Sequence, residues 1–215
     1  MFINRRRKAV SGRFGTNANV SCGICHNTGP RRPKPTAWVS ARVNLKQAAA
    51  AALAGVEVFV VAFAEQVFDE IVARMAGYYE NGEVPILAGA HEGIAACAGS
   101  YRVGLASGSP QRLIDACLSG AGWSRYFECV ISSDELEHGK PAPDVYLDIL
   151  RRMGLSAHTT AVVEDSGAGI ASGKAAGAKV IAIPNVHTNP GPQALALADA
   201  CIETLHDLPA ALERL

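Results

Sequence analysis

Residues 1–56 contain no aspartate and no glutamate; the first acid in the chain is Glu57. Those 56 residues hold ten Lys and Arg, so the other 159 carry ten bases against twenty acids, and the formal net charge of zero conceals two joined compositions. No charge-free apolar run reaches the roughly 18 residues that a membrane-spanning helix needs. The nearest, 48–64, is broken by Glu57, which disfavours a membrane partner. Behind the basic run at 5–8 there is no apolar stretch of roughly 7–15 residues, which argues against a secretory leader and equally against twin-arginine export. Six cysteines in 215 residues are too few for a disulfide scaffold. Gly and Pro, 21 and 11, are too few and too aperiodic for collagen or low complexity.

What is present supports a packed domain. Apolar residues make up 49% and charged residues 19%. Residues 1–46 show neither a strand period nor a helix period and read as a basic, irregular or disordered segment. Within it, Cys22-Gly-Ile-Cys25-His26 matches the C-x-x-C-H haem-attachment pattern. The helical surroundings and second axial ligand that haem would require are not visible, and no second Cys/His pair lies nearby to complete a zinc site. An incidental cysteine pair is the plainer reading. Residues 47–88 read as helix, strand and helix: an alanine-rich start, a β-branched run at 58–63 and an amphipathic helix at 66–80 with Phe68, Ile71, Val72, Met75 and Tyr79 inward.

From 89 to 215 helix and strand alternate. Strands are expected at 101–106, 127–131, 160–163 and 179–183. Helices are expected near 90–98, 110–120, 143–153, 167–176 and 205–214. Such spacing predicts βαβ units, a parallel sheet covered on both faces, and ligands beyond the carboxyl ends of the strands.

Three strand ends carry distinctive residues. Ser107-Gly108-Ser109-Pro110 offers a hydroxyl and backbone N–H groups to an anion, or is a plain helix cap with proline in the first turn. Lys140, between Gly139 and Pro141, is either a fixed point charge for a phosphate and a neighbouring carboxylate or a surface lysine ahead of a helix. Glu164 and Asp165 end an apolar strand, a costly place for two acids unless a cation meets them; Mg²⁺ suits such oxygen donors, with a capping role for Asp165 as the alternative. Gly167-Ala168-Gly169 with Gly173 approaches a dinucleotide fingerprint, but two acids would face the pyrophosphate and the next strand ends Ile183-Pro184-Asn185 with no acid for a ribose.

Taken together, these segments resemble the haloacid dehalogenase-like hydrolase superfamily, in its phosphatase and β-phosphoglucomutase branch. LASGSP at 105–110 is similar to the family's second motif, GKPAPD at 139–144 to its third, and VVEDSGAGIASGKAAGAKVIAIPN at 162–185 to its fourth. The resemblance implies a three-layer Rossmann-like α/β fold, here with the cap domain reduced or missing and residues 66–80 as a possible remnant of it. It implies that Ser107 binds the transferring phosphoryl group, with Gly108 and Ser109 beside it. Lys140 would balance charge on that group, and Glu164 and Asp165 would hold Mg²⁺ directly or through water. The family's first motif, Asp-x-Asp-x-Thr, supplies the attacking aspartate from a central first strand. Residues 1–68 contain no Asp at all. The run at 58–63 is expected to fill the central slot instead, with Glu65 and Asp69 poorly placed to attack.

The functional expectation is a Mg²⁺-dependent phosphomonoester hydrolase or sugar-phosphate mutase by descent, impaired for want of its nucleophile and acting on a small phosphorylated metabolite. The alternative is a non-catalytic phosphate-ligand or protein-binding module on the same fold; nucleic-acid attachment through the basic arm is a weaker idea. Cys97, Cys117, Cys129 and Cys201 read as reduced core residues, which suits the cytoplasm. His138 beside Gly139 reads as a surface residue.

Overall fold

Strand propensity and two-sided burial build the sheet. Val162 and Val163 lie in a strand whose five residues, Thr160–Glu164, are all buried, the near-continuous apolar pattern of a strand covered on both faces. The computed structural model describes residues 1–5, 57–185 and 188–215. In chain order the strands are β1 (Phe2–Arg5), β2 (Tyr101–Ser107), β3 (Cys129–Ser132), β4 (Thr160–Glu164), β5 (Lys179–Ala182) and β6 (Ala200–Cys201). The α-helices are α1 (Glu57–Glu80), α2 (Ala90–Ser100), α3 (Gln111–Gly120), α4 (Asp144–Met153), α5 (Gly167–Ala175), α6 (Gly191–Leu195) and α7 (Leu208–Glu213). The Cys22–His26 pattern and nearly all of the basic segment lie outside the described residues.

The six strands form one sheet in the order β3-β2-β1-β4-β5-β6. A parallel sheet was expected, but the sheet is mixed. Neighbours β2/β3, β4/β5 and β5/β6 are parallel, whereas β1 runs antiparallel to both β2 and β4. Three layers result. Phe2, Val162 and Val180 point to one face, where Tyr146, Ile149 and Met153 of α4 and Ile170 of α5 cover them. Ile3, Val103, Ala161 and Ile181 point to the other, under Cys97 of α2 and Leu208, Ala211 and Leu212 of α7.

Two expectations about the N-terminal half are corrected. The central slot is filled by Phe2–Arg5 and not by residues 58–63, which are part of the 24-residue helix α1. Four residues suffice for the slot because Phe2 and Ile3 are each buried, one in each core cluster. The β-branched run at 58–63 is helical because the register of α1 continues through it into a strongly helix-compatible sequence; propensity is a weak prior against such context. The inward face of α1 also differs from the amphipathic reading. Val72 and Ala76 are buried, but Ile71 and Met75 are exposed, so only part of the apolar surface meets α3. That contact is close: a Cβ on Gly120 would sit 2.0 Å from the Tyr79 carbonyl oxygen.

The helices expected at 110–120, 143–153 and 167–176 form within a residue of those bounds. The last helix is shorter than expected, with a 3-10 turn at Leu205–Asp207 preceding α7. Cys97 is buried, Cys117 and Cys129 are half-buried, and Cys201 is exposed, so Cys201 is not a core residue; none of the four forms a disulfide. Among the described residues no helix is long and apolar enough to cross a membrane.

Candidate phosphate site

Ser107 is the last residue of β2 and Glu164 the last of β4, so the flanks of β1 deliver both to the carboxyl end of the sheet. Lys140 arrives from the β3–α4 connection, and its ammonium meets the Glu164 carboxylate. The same ammonium reaches the Ala106 carbonyl oxygen at 3.4 Å and lies 5.0 Å from the centre of the Tyr146 ring. The pair is largely withdrawn from water, with side-chain exposures of 16% for Lys140 and 7% for Glu164. The lysine and its acid, far apart in sequence, are therefore one electrostatic unit.

Three further groups fix that unit. The Tyr146 hydroxyl donates to Glu164 Oε1, the oxygen that Lys140 also contacts. Ser166 Oγ donates to Glu164 Oε2 at 3.1 Å and accepts the Gly169 N–H at 3.0 Å, capping α5. Gly169 has no side chain because there is no room for one: a Cβ there would lie 1.8 Å from Glu164 Oε2. Burial pushes the Glu164 pKa up, but the Lys140 charge, the Met1 amine and hydrogen bonds from Lys140 and Tyr146 outweigh it and leave it below the ordinary value. The Tyr146 hydroxyl is pushed well above its usual range by burial and then by the Glu164 charge. Glu164 is thus an anion with its donors around it, and Tyr146 is a neutral donor.

Asp165 is held differently. Its Oδ2 accepts from Asn185 Nδ2 at 3.1 Å and from Thr188 Oγ1 at 2.9 Å. Oδ1 has no protein donor among the described residues. A hard cation that binds through one or two carboxylates and keeps its waters fits this donor set at Asp165. Glu164, already receiving three donors, fits better as counter-ion to Lys140. No group of three or more His, Cys, Asp or Glu gathers into a cation cluster among the described residues.

Ser107, Gly108, Lys140, Glu164, Asp165 and Ser166 line one end of a cleft of about 720 Å³. Ser107 Oγ accepts the Ser109 N–H at 3.1 Å, which leaves the hydroxyl hydrogen free to donate into the cleft. Ser109 is exposed and is not among the residues of the cleft wall; its carbonyl accepts from Ser132 Oγ at 2.7 Å, so it shapes the turn. His138 is exposed and faces Asp144 at 3.1 Å.

Sequence reasoning missed the role of Tyr146, which it read only as an inward position of α4. A signal was available. A tyrosine at a fully buried position needs a partner for its hydroxyl, and the acid pair ending β4 was the nearest candidate. Asn185 and Thr188 were missed because the loop after β5 carries no periodicity to place them.

A mostly parallel sheet with a lysine–carboxylate pair and a serine turn at its carboxyl end has the Rossmann-like α/β arrangement, in which ligands meet the carboxyl ends of the strands. The sequence profile of the haloacid dehalogenase-like hydrolases matches residues 27–177. The chain belongs to that family.

Among its relatives is hexitol phosphatase B of Escherichia coli, 31% identical over 147 residues, which make up 68% of this chain and 65% of the relative. The bifunctional riboflavin kinase/FMN phosphatase of Arabidopsis thaliana is 41% identical over 85 residues, 39% of this chain. This chain spans only 22% of that plant protein. A putative β-phosphoglucomutase from Thermotoga maritima superposes with a TM-score of 0.53 at 25% identity, covering 60% of each chain. The phosphatase and β-phosphoglucomutase branch read from the motifs is the branch in which these relatives fall.

Proposed function

We propose that this cleft binds the phosphoryl group of a small phosphomonoester and that any hydrolysis it performs is slow. The observation that carries the reading is the convergence of the Ser107 hydroxyl, the Lys140 ammonium and the Asp165 carboxylate at one cleft end, from three separate chain segments. Ser107 donates to one phosphoryl oxygen. Lys140 presents its remaining N–H to another, held in place by Glu164, which Tyr146 and Ser166 hold in turn. With Lys140 neutralised by Glu164, the charge of Asp165 would repel an incoming phosphate. Asp165 would hold Mg²⁺ through Oδ1, and the bound ion would supply positive charge against the phosphoryl oxygens.

Slow turnover follows from the central strand. β1 carries Phe2, Ile3, Asn4 and Arg5, and none of these has a carboxylate to attack phosphorus. An in-line attack needs the nucleophile about 3–3.5 Å from the reacting atom. Without one from this strand, positioning and charge stabilisation remain, and these alone give only part of a phosphatase's rate. The same observation favours a second reading, a phosphate-ligand module that does no chemistry.

The test is thermal stabilisation by inorganic phosphate with and without Mg²⁺, beside turnover of 4-nitrophenyl phosphate. Stabilisation that needs Mg²⁺ and is lost in Lys140→Ala and Asp165→Ala is the expected result. Slow turnover lost in Asp165→Ala makes the protein an enzyme, and binding without turnover makes it a binding module. No stabilisation by phosphate under either condition refutes the site.

A further inference from the structure

We propose that the cleft selects a phosphomonoester whose alcohol portion is apolar, such as an aryl group, over one whose alcohol is a polyol; this rests on the phosphate-site reading above and names its substrate class. The cleft holds about 720 Å³, far more than a phosphoryl group occupies and within the range of pockets for drug-sized ligands. Beyond Ser107 and Lys140 its wall is built from Ile94, Leu105, Leu118, Trp123, Phe127 and Leu205. A second cavity of about 320 Å³ shares Leu87, Ile94, Cys117, Trp123 and Leu205 with the first and continues along Val84, Pro85 and Ile86. The apolar surface is therefore continuous from the phosphate end outwards.

Two of the polar side chains along this wall, those of Trp123 and Thr204, are already engaged. Trp123 Nε1 donates to His91 Nδ1 at 3.0 Å, and Thr204 Oγ1 donates to Asp207 Oδ2 at 2.9 Å. A polyol laid along the wall would surrender water from several hydroxyls and find few partners in exchange, a cost that a site without matching polar groups does not recover. An aryl group loses no hydrogen bonds there, and it gains apolar contact with Trp123 and Phe127. Glu203, an exposed acid on the cleft wall, adds a second selection: it repels a second phosphate and so favours monophosphates over bisphosphates.

The experiment is calorimetric titration of the full chain, with Mg²⁺ present, using inorganic phosphate, 2-naphthyl phosphate and glucitol 6-phosphate. The naphthyl ester is expected to bind at least about tenfold more tightly than the glucitol ester, the ratio that burying one ring against this wall supports. Trp123→Ala and Leu87→Gln should each reduce that ratio. Leu87 is 58% exposed, so its variant keeps the test alive should Trp123→Ala fold poorly. Inorganic phosphate that binds while the two esters bind alike, or the glucitol ester binds better, overturns this inference and leaves the phosphate site standing. A preference for the naphthyl ester that neither variant reduces also overturns it, because the selectivity then does not come from this wall. Failure of inorganic phosphate to bind at all overturns the underlying site.

Discussion

Replacing Glu164 by glutamine tests whether the lysine–acid pair is the electrostatic centre of the protein. Glutamine keeps the shape and can still accept from Tyr146, but it removes the charge opposite Lys140. Breaking a buried ion pair by neutralising one partner typically costs about 3–5 kcal/mol, because the other charge stays buried without compensation. Lys140 retains 16% exposure and can recover some hydration, which places Glu164→Gln near the lower end, at about 3 kcal/mol. For a domain of this size that is a fall in Tm of roughly 6–12 °C. Lys140→Met should cost less, about 2 kcal/mol, since Tyr146 and Ser166 still donate to the Glu164 anion. The double variant should be more stable than the sum of the two losses predicts, by about 2 kcal/mol, because no unpaired charge remains. Urea unfolding of all four proteins at one pH provides the cycle. If the two losses simply add, within about 0.5 kcal/mol, the two groups are not coupled and the electrostatic account of the site is wrong.

Gly169→Ala should displace the Glu164 carboxylate, because the new Cβ would lie 1.8 Å from Oε2. Overpacking of this kind costs about 1–3 kcal/mol, and phosphate-induced stabilisation should shrink with it; stabilisation of full size would show that Glu164 need not be where it is. Asp199 ties the β5 edge together, pairing with Lys174 at 2.8 Å and Lys179 at 2.9 Å and accepting the Val180 N–H at 2.8 Å. Burial raises its pKa, but the hydrogen bonds from Lys174, Val180 and Lys179 outweigh it and lower the value from 3.8 to about 2. A depressed folded-state pKa stabilises above the unfolded value, so this contribution is complete above about pH 4 and disappears as the pH falls to about 2. Both lysines are a third to a half exposed, and water screening reduces the contribution to about 1 kcal/mol. Asp199→Asn should therefore destabilise at pH 7 and lose most of that effect near pH 2 in urea titrations; an equal effect at both pH values would contradict the linkage.

The sequence disclosed the regular half of the molecule because each signal there was local. Helix α4 carries its buried residues at helical spacing, and β4 is a short apolar run stopped by acids. The residues at the strand ends were legible for the same reason: a carboxylate pair after an apolar strand needs a cation, and Lys140 supplies one. What was not legible depended on contacts without a local signature. Residues 58–63 read as strand by composition, yet their neighbours along the chain continue as helix through residue 80. Phe2–Arg5 is too short and too basic at its end to announce itself, and only its position between β2 and β4 makes Phe2 and Ile3 core residues.

The direction of β1 has a consequence for the chemistry of the cleft. A strand between β2 and β4 brings one of its ends to the site whichever way it runs. Running antiparallel, β1 delivers its first residues there: Met1 pairs with Val163 through both its nitrogen, at 2.9 Å, and its carbonyl, at 2.8 Å, and lines the cleft. Arg5 then falls at the opposite edge, beside Tyr101, and Asn4 is spent on Thr159 and Thr160. The sheet is as complete in packing terms as a parallel strand would make it, since burial on both faces depends on alternation and not on direction. Chemistry does depend on direction, because only the residues at one end of a strand reach the cleft. Packing and the delivery of side chains to the cleft are therefore separate properties of this central position: the four-residue strand satisfies the first while bringing no carboxylate to the cleft, and the serine and acid of the flanking strands and the lysine of the β3–α4 connection remain assembled around it.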